Sequence, residues 1–474
     1  MNVIHLPVVI ANNSVVLSRY LKRLGVNSKT ISYFRTWLNY EADINLDLDH
    51  LGAQERRERL RAFVEDFLER EAANYDIFHF HFFDTLAGGT SFGGWESHPE
   101  RPGFWDLAAL KAMGKKIVVS CFGSEVRNNS KITWHQLRYD EPALKLPRPP
   151  LCTRSQYLKV WQVAQYADAV VCGDTELAPH VPFSTMIPIP IDLEPLAALK
   201  AVRVPPEEPF SILHAPSNNL LKGSRYIVRV LEELKRDHGE RLEIRLIHGV
   251  SAQEAVKHYC GRGVAIDQIN MSFGLFALEA MYLGRPVICA LRPEEFAAGD
   301  PKLAAPVVSV ENEAELRRVL AEFVEGRRQA RPEELERYVV EHHEAGGVAR
   351  RYLALYERLL DGEEVPHVVS RRWLAQFDRL VKGERIDQED YYSQVTDLLL
   401  ARREGDLLIH EIQQGLGLAD DAELLAKLVL VHHAAGQKEA ADRLVRANSR
   451  VAFSAAYKSH FQRAREILEA GAIN

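Results

Sequence analysis

The stretch Ala265-Ile266-Asp267-Gln268, then Phe273-Gly274-Leu275-Phe276-Ala277-Leu278-Glu279-Ala280-Met281, then Gly284-Arg285-Pro286-Val287-Ile288, decides the fold class of this 474-residue chain. It reads as strand, glycine turn, helix, glycine stop, strand. A strand that returns through a helix to a neighbouring strand is the crossover unit of parallel α/β sheets. Gly274 permits close backbone approach, and the helix behind it presents free N–H groups and about half a positive charge at its start. That is an anion seat suited to a diphosphate. Glu279 lies one to two turns into the helix, where a carboxylate can accept hydrogen bonds from sugar hydroxyls. Taken alone, the stretch also reads as a core helix with an exposed glutamate.

A second stretch weighs against that plainer reading. His214-Ala215-Pro216-Ser217-Asn218-Asn219-Leu220-Leu221-Lys222-Gly223-Ser224 again runs from a strand through a polar loop to a helix start. Lys222 stands at the helix mouth, where an ammonium neutralises phosphate as a point charge. Two phosphate-suited helix starts in one domain are unexpected by chance.

Working outward, the same rhythm covers most of the chain. Apolar runs at Val3–Leu6, Lys29–Tyr33, Ile77–Phe83, Lys116–Cys121 and Ala169–Cys172 alternate with helical stretches such as Val15–Leu24 and Gln54–Glu71. Arginines 56, 57, 59 and 61 in the last of these are interleaved with Glu55, Glu58 and Glu65, a solvated helix face. Prolines 188 and 190, then 205, 206 and 209, interrupt the pattern and mark a linker. After it the rhythm restarts with strands Ser211–His214, Glu243–His248, Val264–Gln268, Pro286–Ala290 and Ala305–Val308, and a helix Glu313–Gly326 capped by Asn312. The expected architecture is therefore α/β: two units of similar size, residues 1–195 and 205–362, with a cleft between them. Beyond Val365 strand-like runs vanish, and residues 366–474 form an all-α appendage. Its hairpin Ala422–Ala435 and Lys438–Asn448, turning at Ala434-Ala435-Gly436, is loosely tetratricopeptide-like, but one unit does not make an array.

Composition agrees with that division. A chain of this length holds about three domains at roughly 100–200 residues each. Hydrophobic residues make up 46% and charged residues 26%, ordinary for a globular protein with a sizeable core. With 59 basic and 66 acidic side chains the net charge is −7, which argues against nucleic acid as a partner. No apolar run reaches the roughly 18 residues of a spanning helix, and the N-terminus lacks a secretory pattern. Five scattered cysteines with no Cys-x-x-Cys give neither a disulfide framework nor a zinc site. A cytoplasmic protein is expected.

The order of these elements, with Lys222-Gly223 and Phe273-Gly274-Leu275 leading to Leu278-Glu279-Ala280-Met281, resembles the GT-B glycosyltransferases of family 4. The resemblance extends to Phe78-His79-Phe80-His81, to Gly123-Ser124-Glu125-Val126-Arg127 and to Ile266-Asp267-Gln268, a signature of a bacterial subgroup. It implies two Rossmann-like domains facing across a cleft, and a retaining, hexosyl-transferring enzyme with a UDP- or GDP-linked sugar in the C-terminal domain and the acceptor in the N-terminal one. Lys222 would bind the diphosphate, Glu279 the ribose hydroxyls, and the backbone around Gly274 and Leu275 would face the diphosphate. Ser217, Asn218, Asn219, Gly223, His248, Gly249, Gln268 and Phe273 complete the donor-side set, with Lys222 and Glu279 expected to carry catalysis. No cofactor and no metal are called for, since Lys222 and two helix starts would neutralise the donor phosphates.

Three positions depart from the family pattern. Met271 replaces a glutamate that contacts the transferred sugar, Ser217–Asn219 replace a phosphate-binding arginine, and Phe122 replaces a histidine before Gly123. A charged hydrogen bond is worth about 1.5–3 kcal/mol, so several losses together weaken the donor site. Gln268, His248 and Asn219 are the available replacements. On the acceptor side stand Asn12 and Asn13 after the first strand, His79 and His81 on one face of another, and Gly123, Ser124 and Glu125. The loop Gly88–Trp95 reads as a lid or as a surface turn. The rival reading is a non-catalytic GT-B protein that binds a partner glycosyltransferase or a protein acceptor through residues 366–474, a surface equally suited to homo-oligomers. A dinucleotide oxidoreductase is disfavoured, because no Gly-x-Gly-x-x-Gly follows the first strand.

Overall fold

The computed structural model describes residues 1–35, 39–88, 104–200, 209–386, 390–416 and 420–470. Most of the glycine-rich loop 88–95 and of the linker 204–209 falls outside them.

The first sheet is assembled from β1 (Asn2–Leu6), β2 (Asn27–Ser32), β3 (Ile44–Asn45), β4 (Ile77–His81), β5 (Lys116–Cys121), β6 (Ala169–Cys172) and β7 (Phe183–Met186). Helices α1 (Asn13–Arg23), α2 (Ala53–Asp66) and α3 (Trp105–Ala112) connect the first five, and α4 (Ser130–Asp140) and α5 (Arg154–Ala164) lie between β5 and β6. Side by side the strands run β7-β6-β5-β4-β1-β2-β3, all parallel. The reversal of order falls between β1 and β4, where a doubly wound sheet opens a crevice at its carboxyl end.

The second sheet follows α6 (Leu193–Lys200). It contains β8 (Phe210–His214), β9 (Leu242–Leu246), β10 (Gly263–Ile266), β11 (Val287–Cys289) and β12 (Val308–Ser309) in the order β12-β11-β10-β8-β9. Helices α7 (Asn219–Lys222), α8 (Ser224–His238), α9 (Ala252–Lys257) and α10 (Leu275–Tyr282) connect them, and α11 (Glu313–Val324) and α12 (Pro332–His343) follow. Its switch point lies between β8 and β10, the strands that deliver the two stretches singled out above. Two α/β sheets, each with its own switch point, are thus present as expected, and both belong to one compact unit. Loop hydrogen bonds and one ion pair tie them together: Thr175 N–H and hydroxyl donate to Asp300 (2.7 and 2.6 Å), and Lys302 Nζ reaches Asp174 (2.6 Å).

The strands form where their apolar runs are buried on both faces; β4 and β6 are buried throughout. One expected strand shifts: Ala305–Val308 contracts to Val308–Ser309, because Pro306 has no N–H and the Val307 N–H turns back to Ala305 O (2.8 Å). Asn312 caps α11 as expected, its Oδ1 accepting from Glu315 N–H at 2.9 Å. Helix α13 (Ala345–Leu360) returns to the first sheet, where Tyr352, Leu355 and Tyr356 join Val3, Leu17, Ile77 and Val118 in one core. A short β13 (Val368–Val369) then pairs antiparallel with β7, a strand that two residues of sequence do not announce.

A second compact unit consists of Val126–Val160 together with Ser370–Asn474. Its helices include α14 (Arg371–Val381), α15 (Asp390–Ala401), α16 (Gly405–Gly415), α17 (Asp421–Ala434), α18 (Lys438–Ala447), α19 (Ser449–Ala452) and α20 (Ala455–Ala470). The expected hairpin is α17–α18, and Leu425, Ala426 and Val429 of α17 pack with Ala441 and Tyr457. Lys427 is buried there, with Glu423 (2.5 Å) and Asp397 (2.6 Å) neutralising it.

Candidate functional site

The donor-side residues gather at the carboxyl end of the second sheet, around its switch point. β8 ends at His214, whose Nδ1 contacts Ile266 O and whose Nε2 contacts Ser224 Oγ, both at 2.8 Å. Burial lowers its pKa to about 4, so the ring is neutral near pH 7. A carbonyl only accepts, which puts the proton on Nδ1 and makes Nε2 the acceptor of the serine hydroxyl. His214 thereby ties β8, β10 and the start of α8 together.

The next turn is set by Asn218, whose Oδ1 accepts from Leu221 N–H at 3.0 Å and starts the single turn α7. Gly223 closes it at φ +73°, and a Cβ there would meet Ile269 Cγ1 at 2.6 Å. The outcome is that Lys222 faces β10. Its Nζ lies 2.7 Å from Asp267 Oδ1, while Asp267 Oδ2 accepts the Gly274 N–H at 2.6 Å. Asp267 is 1% exposed, so this carboxylate is fully enclosed by the two groups the sequence assigned to a diphosphate. A Cβ on Gly274 would stand 3.8 Å from the same oxygen, in ordinary contact with it.

Glu279 sits half-buried on α10. Burial pushes its carboxyl up to about 8. Burial first, and the Glu279 charge second, raise the phenols of Tyr40 and Tyr259. Tyr40, from the first domain, thus lies within electrostatic range of this carboxyl. The other donor-side candidates divide. Gln268 is buried and donates to Ser272 O, Phe273 is buried, and Leu275 opens α10. Ser217, Asn218, Asn219, His248 and Gly249 are exposed, and nothing draws them toward Asp267.

The acceptor-side residues meet at the other switch point. Ala11 and Asn12 after β1, and Phe82 and Phe83 after β4, all have φ between +48° and +67°. For bulky phenylalanines that is strained backbone, and four such residues flank one crevice. Asn12 Oδ1, both polar atoms of the Asn13 amide, Ser14 Oγ, His5 Nε2 and His81 Nδ1 are buried there without hydrogen-bond partners. A small cavity lined by Asn13, His81, Ser120, Phe122, Gly173 and Tyr352 opens beside them.

His79 is placed differently from His81. Its two nitrogens contact Tyr356 OH and Ser120 Oγ, each at 2.7 Å, which leaves nothing for a ligand. His81 stacks on Phe122, and its Nε2 lies 3.1 Å from His5 Nδ1. One ligand atom from each of His5, His79 and His81 falls within 4.8 Å of the others, the one grouping among the described residues with metal-ligand spacing. A metal there would have to break a hydrogen bond of His79. Burial keeps all three rings neutral. Glu125 is spent on the backbone: its carboxylate accepts the Phe122 N–H and the Gly123 N–H (2.8 Å for the latter), while Ser124 is half-buried.

Sequence reasoning quoted Asp267 without giving it a role, although a carboxylate at a strand end facing a lysine and a helix mouth is a recognisable ion-pair signal. It passed over His5, which the parallel register sets beside His79. Lys302 carries no sequence signal at all. Its Nζ bonds Asp174, Phe273 O (3.0 Å) and Ser272 Oγ (3.2 Å), holding the loop before α10.

No protein-family model matches the chain, and no curated protein matches it. Among solved structures, sucrose-phosphate synthase from Thermosynechococcus elongatus aligns with 77% of this chain and 100% of its own, at 16% identity and a TM-score of 0.49. A glycosyltransferase from Rickettsia africae covers 76% of this chain and 99% of its own, at 13% identity and TM-score 0.46. A UDP-GlcNAc 2-epimerase from Neisseria meningitidis, solved with UDP-GlcNAc, covers 76% and 100%, at 13% identity and TM-score 0.41. Function does not follow from likeness at this level and has to be argued from the site.

Proposed function

We propose that this chain is a GT-B glycosyltransferase that takes a hexosyl group from a UDP- or GDP-linked sugar. One observation carries the reading: Lys222 Nζ and the Gly274 N–H converge on a single carboxylate, at 2.7 and 2.6 Å, beyond the strands that flank the switch point. A fixed ammonium and a helix N-terminus meeting on one anion are what a departing nucleoside diphosphate needs. Catalysis would lie in leaving-group stabilisation: charge develops on the diphosphate as the glycosidic bond breaks, and these donors would stand beside it. Glu279 would accept the ribose hydroxyls, and the acceptor would enter from the strained crevice at β1 and β4. Retention of configuration follows if the acceptor attacks the face the diphosphate leaves. A cytoplasmic location goes with this reading.

A second reading is a non-catalytic GT-B protein that binds a partner. It is favoured by Asp267, which already satisfies both donors, and by Met271 where a sugar-contacting carboxylate is expected. The test is a melting-temperature titration of the chain and of Asp267→Asn with UDP-, GDP- and ADP-sugars, followed by assay of nucleotide release. One nucleotide should stabilise, by about 2.7 kcal/mol at 100 times its dissociation constant, and Lys222→Ala should erase the shift. If no nucleotide shifts either protein, the enzyme reading fails and the binding reading stands.

A further inference from the structure

We infer that Asp267 is a built-in occupant of the diphosphate seat, and that anions enter only by displacing it. The inference rests on the functional reading above for the identity of the ligand, but the displacement itself does not.

The Asp267 backbone is fixed, its N–H donating to Ile288 O at 3.0 Å, so the side chain alone can leave. One oxygen pairs with Lys222 and the other holds the Gly274 N–H. A peptide N–H carries a single hydrogen, so Gly274 cannot serve Asp267 and a phosphate oxygen at full strength together. The Lys222 charge is likewise balanced by a carboxylate at hydrogen-bond distance. A diphosphate arriving with Asp267 in place would set two anions on the same donors, and a carboxylate enclosed to 1% exposure has no water to screen it. The charges therefore exchange one for the other: the carboxylate turns out as the phosphate enters. Lys222 has three N–H donors and follows either anion, which makes Gly274 the point of strict competition.

Such an arrangement lowers affinity for every anion in the resting chain. It admits only a ligand with enough further contacts, at Glu279 and in the cleft, to repay turning a buried carboxylate out. Free phosphate and pyrophosphate are excluded by this arrangement, and a whole nucleotide sugar is favoured over its fragments.

The experiment is calorimetric titration with inorganic pyrophosphate, with UDP and GDP in parallel, of the full chain, Asp267→Asn and Asp267→Asn/Lys222→Ala. Asparagine keeps the size, offers Gly274 only a neutral amide oxygen that a phosphate displaces more readily than a carboxylate, and removes the competing charge at Lys222. Pyrophosphate should bind Asp267→Asn at least tenfold more tightly than the unaltered chain, and the double variant should lose that gain. Asp267→Ser, smaller and also uncharged, should behave alike and stands in if the asparagine variant does not fold. Equal or weaker pyrophosphate binding by the folded variants, or none by any protein, overturns the inference and makes Asp267 a residue that positions Lys222. The two readings separate cleanly. A gain for pyrophosphate with no binding of UDP or GDP keeps the displacement and sinks the nucleotide reading. UDP or GDP binding of equal strength with and without Asp267 keeps the nucleotide reading and sinks the displacement.

Discussion

Glu279 is a carboxyl held in the wrong protonation state for its proposed task. Burial pushes it up to about 8, so at pH 7 most of the empty protein carries it neutral. Ribose hydroxyls donate best to the ionised form, which is the minor one there. The apparent dissociation constant should scale inversely with the ionised fraction, and nucleotide binding should tighten about tenfold from pH 7 to pH 9. Glu279→Gln should bind more weakly and show no such slope in the same titrations. Folding stability runs the opposite way. Between its ordinary value of 4.5 and about 8 the folded chain holds a proton that the unfolded chain releases, so this group costs stability as pH rises through that window. Glu279→Gln should therefore be the more stable protein at pH 9, by about 1–3 kcal/mol in chemical denaturation, with the gap closing toward pH 4. Lys222, Gly274 and Glu279 stand out in the sequence because Lys222 and Gly274 lie just before helix starts and Glu279 follows one turn into α10. Asp267 has no such label. Its role depends on a lysine 45 positions away, a pairing that only the fold makes.

At the scale of elements, the strand–helix alternation was legible, and β5 and β6 have the bounds of the expected runs Lys116–Cys121 and Ala169–Cys172. What failed to show were elements made by pairing alone, such as the two-residue β13, and the departure of α13 from its sequence neighbours to the core of the first sheet. An amphipathic helix announces a buried face without saying which sheet receives it. The junction of α7 and α8 shows how a single residue sets an element's direction. Gly223 ends one helix and starts the next in a left-handed conformation, packed against Ile269. Gly223→Ala must strain the backbone and push into Ile269 Cγ1, which should cost about 1–3 kcal/mol in thermal or chemical unfolding. The same change reorients Lys222, so nucleotide affinity should drop as well, whereas Gly239→Ala, with open space around it at φ +56°, should cost stability without touching affinity.

Across the whole molecule, two switch points define two crevices, and the additional helices are not a detachable tail. The sequence led to an appendage that begins after Val365, yet the segment 126–160, inserted between β5 and β6, belongs to the same compact unit as Ser370–Asn474. Within that unit Asn128 Nδ2 donates to Tyr392 OH (2.7 Å), Tyr391 OH donates to Ser130 O (3.0 Å) and Tyr157 OH donates to Gln376 Oε1. Tyr157, Ile132 and Leu137 are all buried. An insertion in an early connection that folds with helices more than 200 positions later leaves no periodicity for sequence reading to detect. Removing everything after Val369 would therefore strip partners from 126–160 and expose its apolar side chains. The truncated chain should be cut by protease within 126–160 at concentrations that spare the full chain, and should lose helical signal beyond that of the deleted residues. If it instead resists cleavage there, 126–160 holds its structure without the later helices, and they become a separable docking module. A milder variant gives the scale of the coupling. Tyr392→Phe removes one buried hydroxyl and leaves Asn128 Nδ2 with its Pro150 O contact alone, which should cost about 1–3 kcal/mol of unfolding free energy.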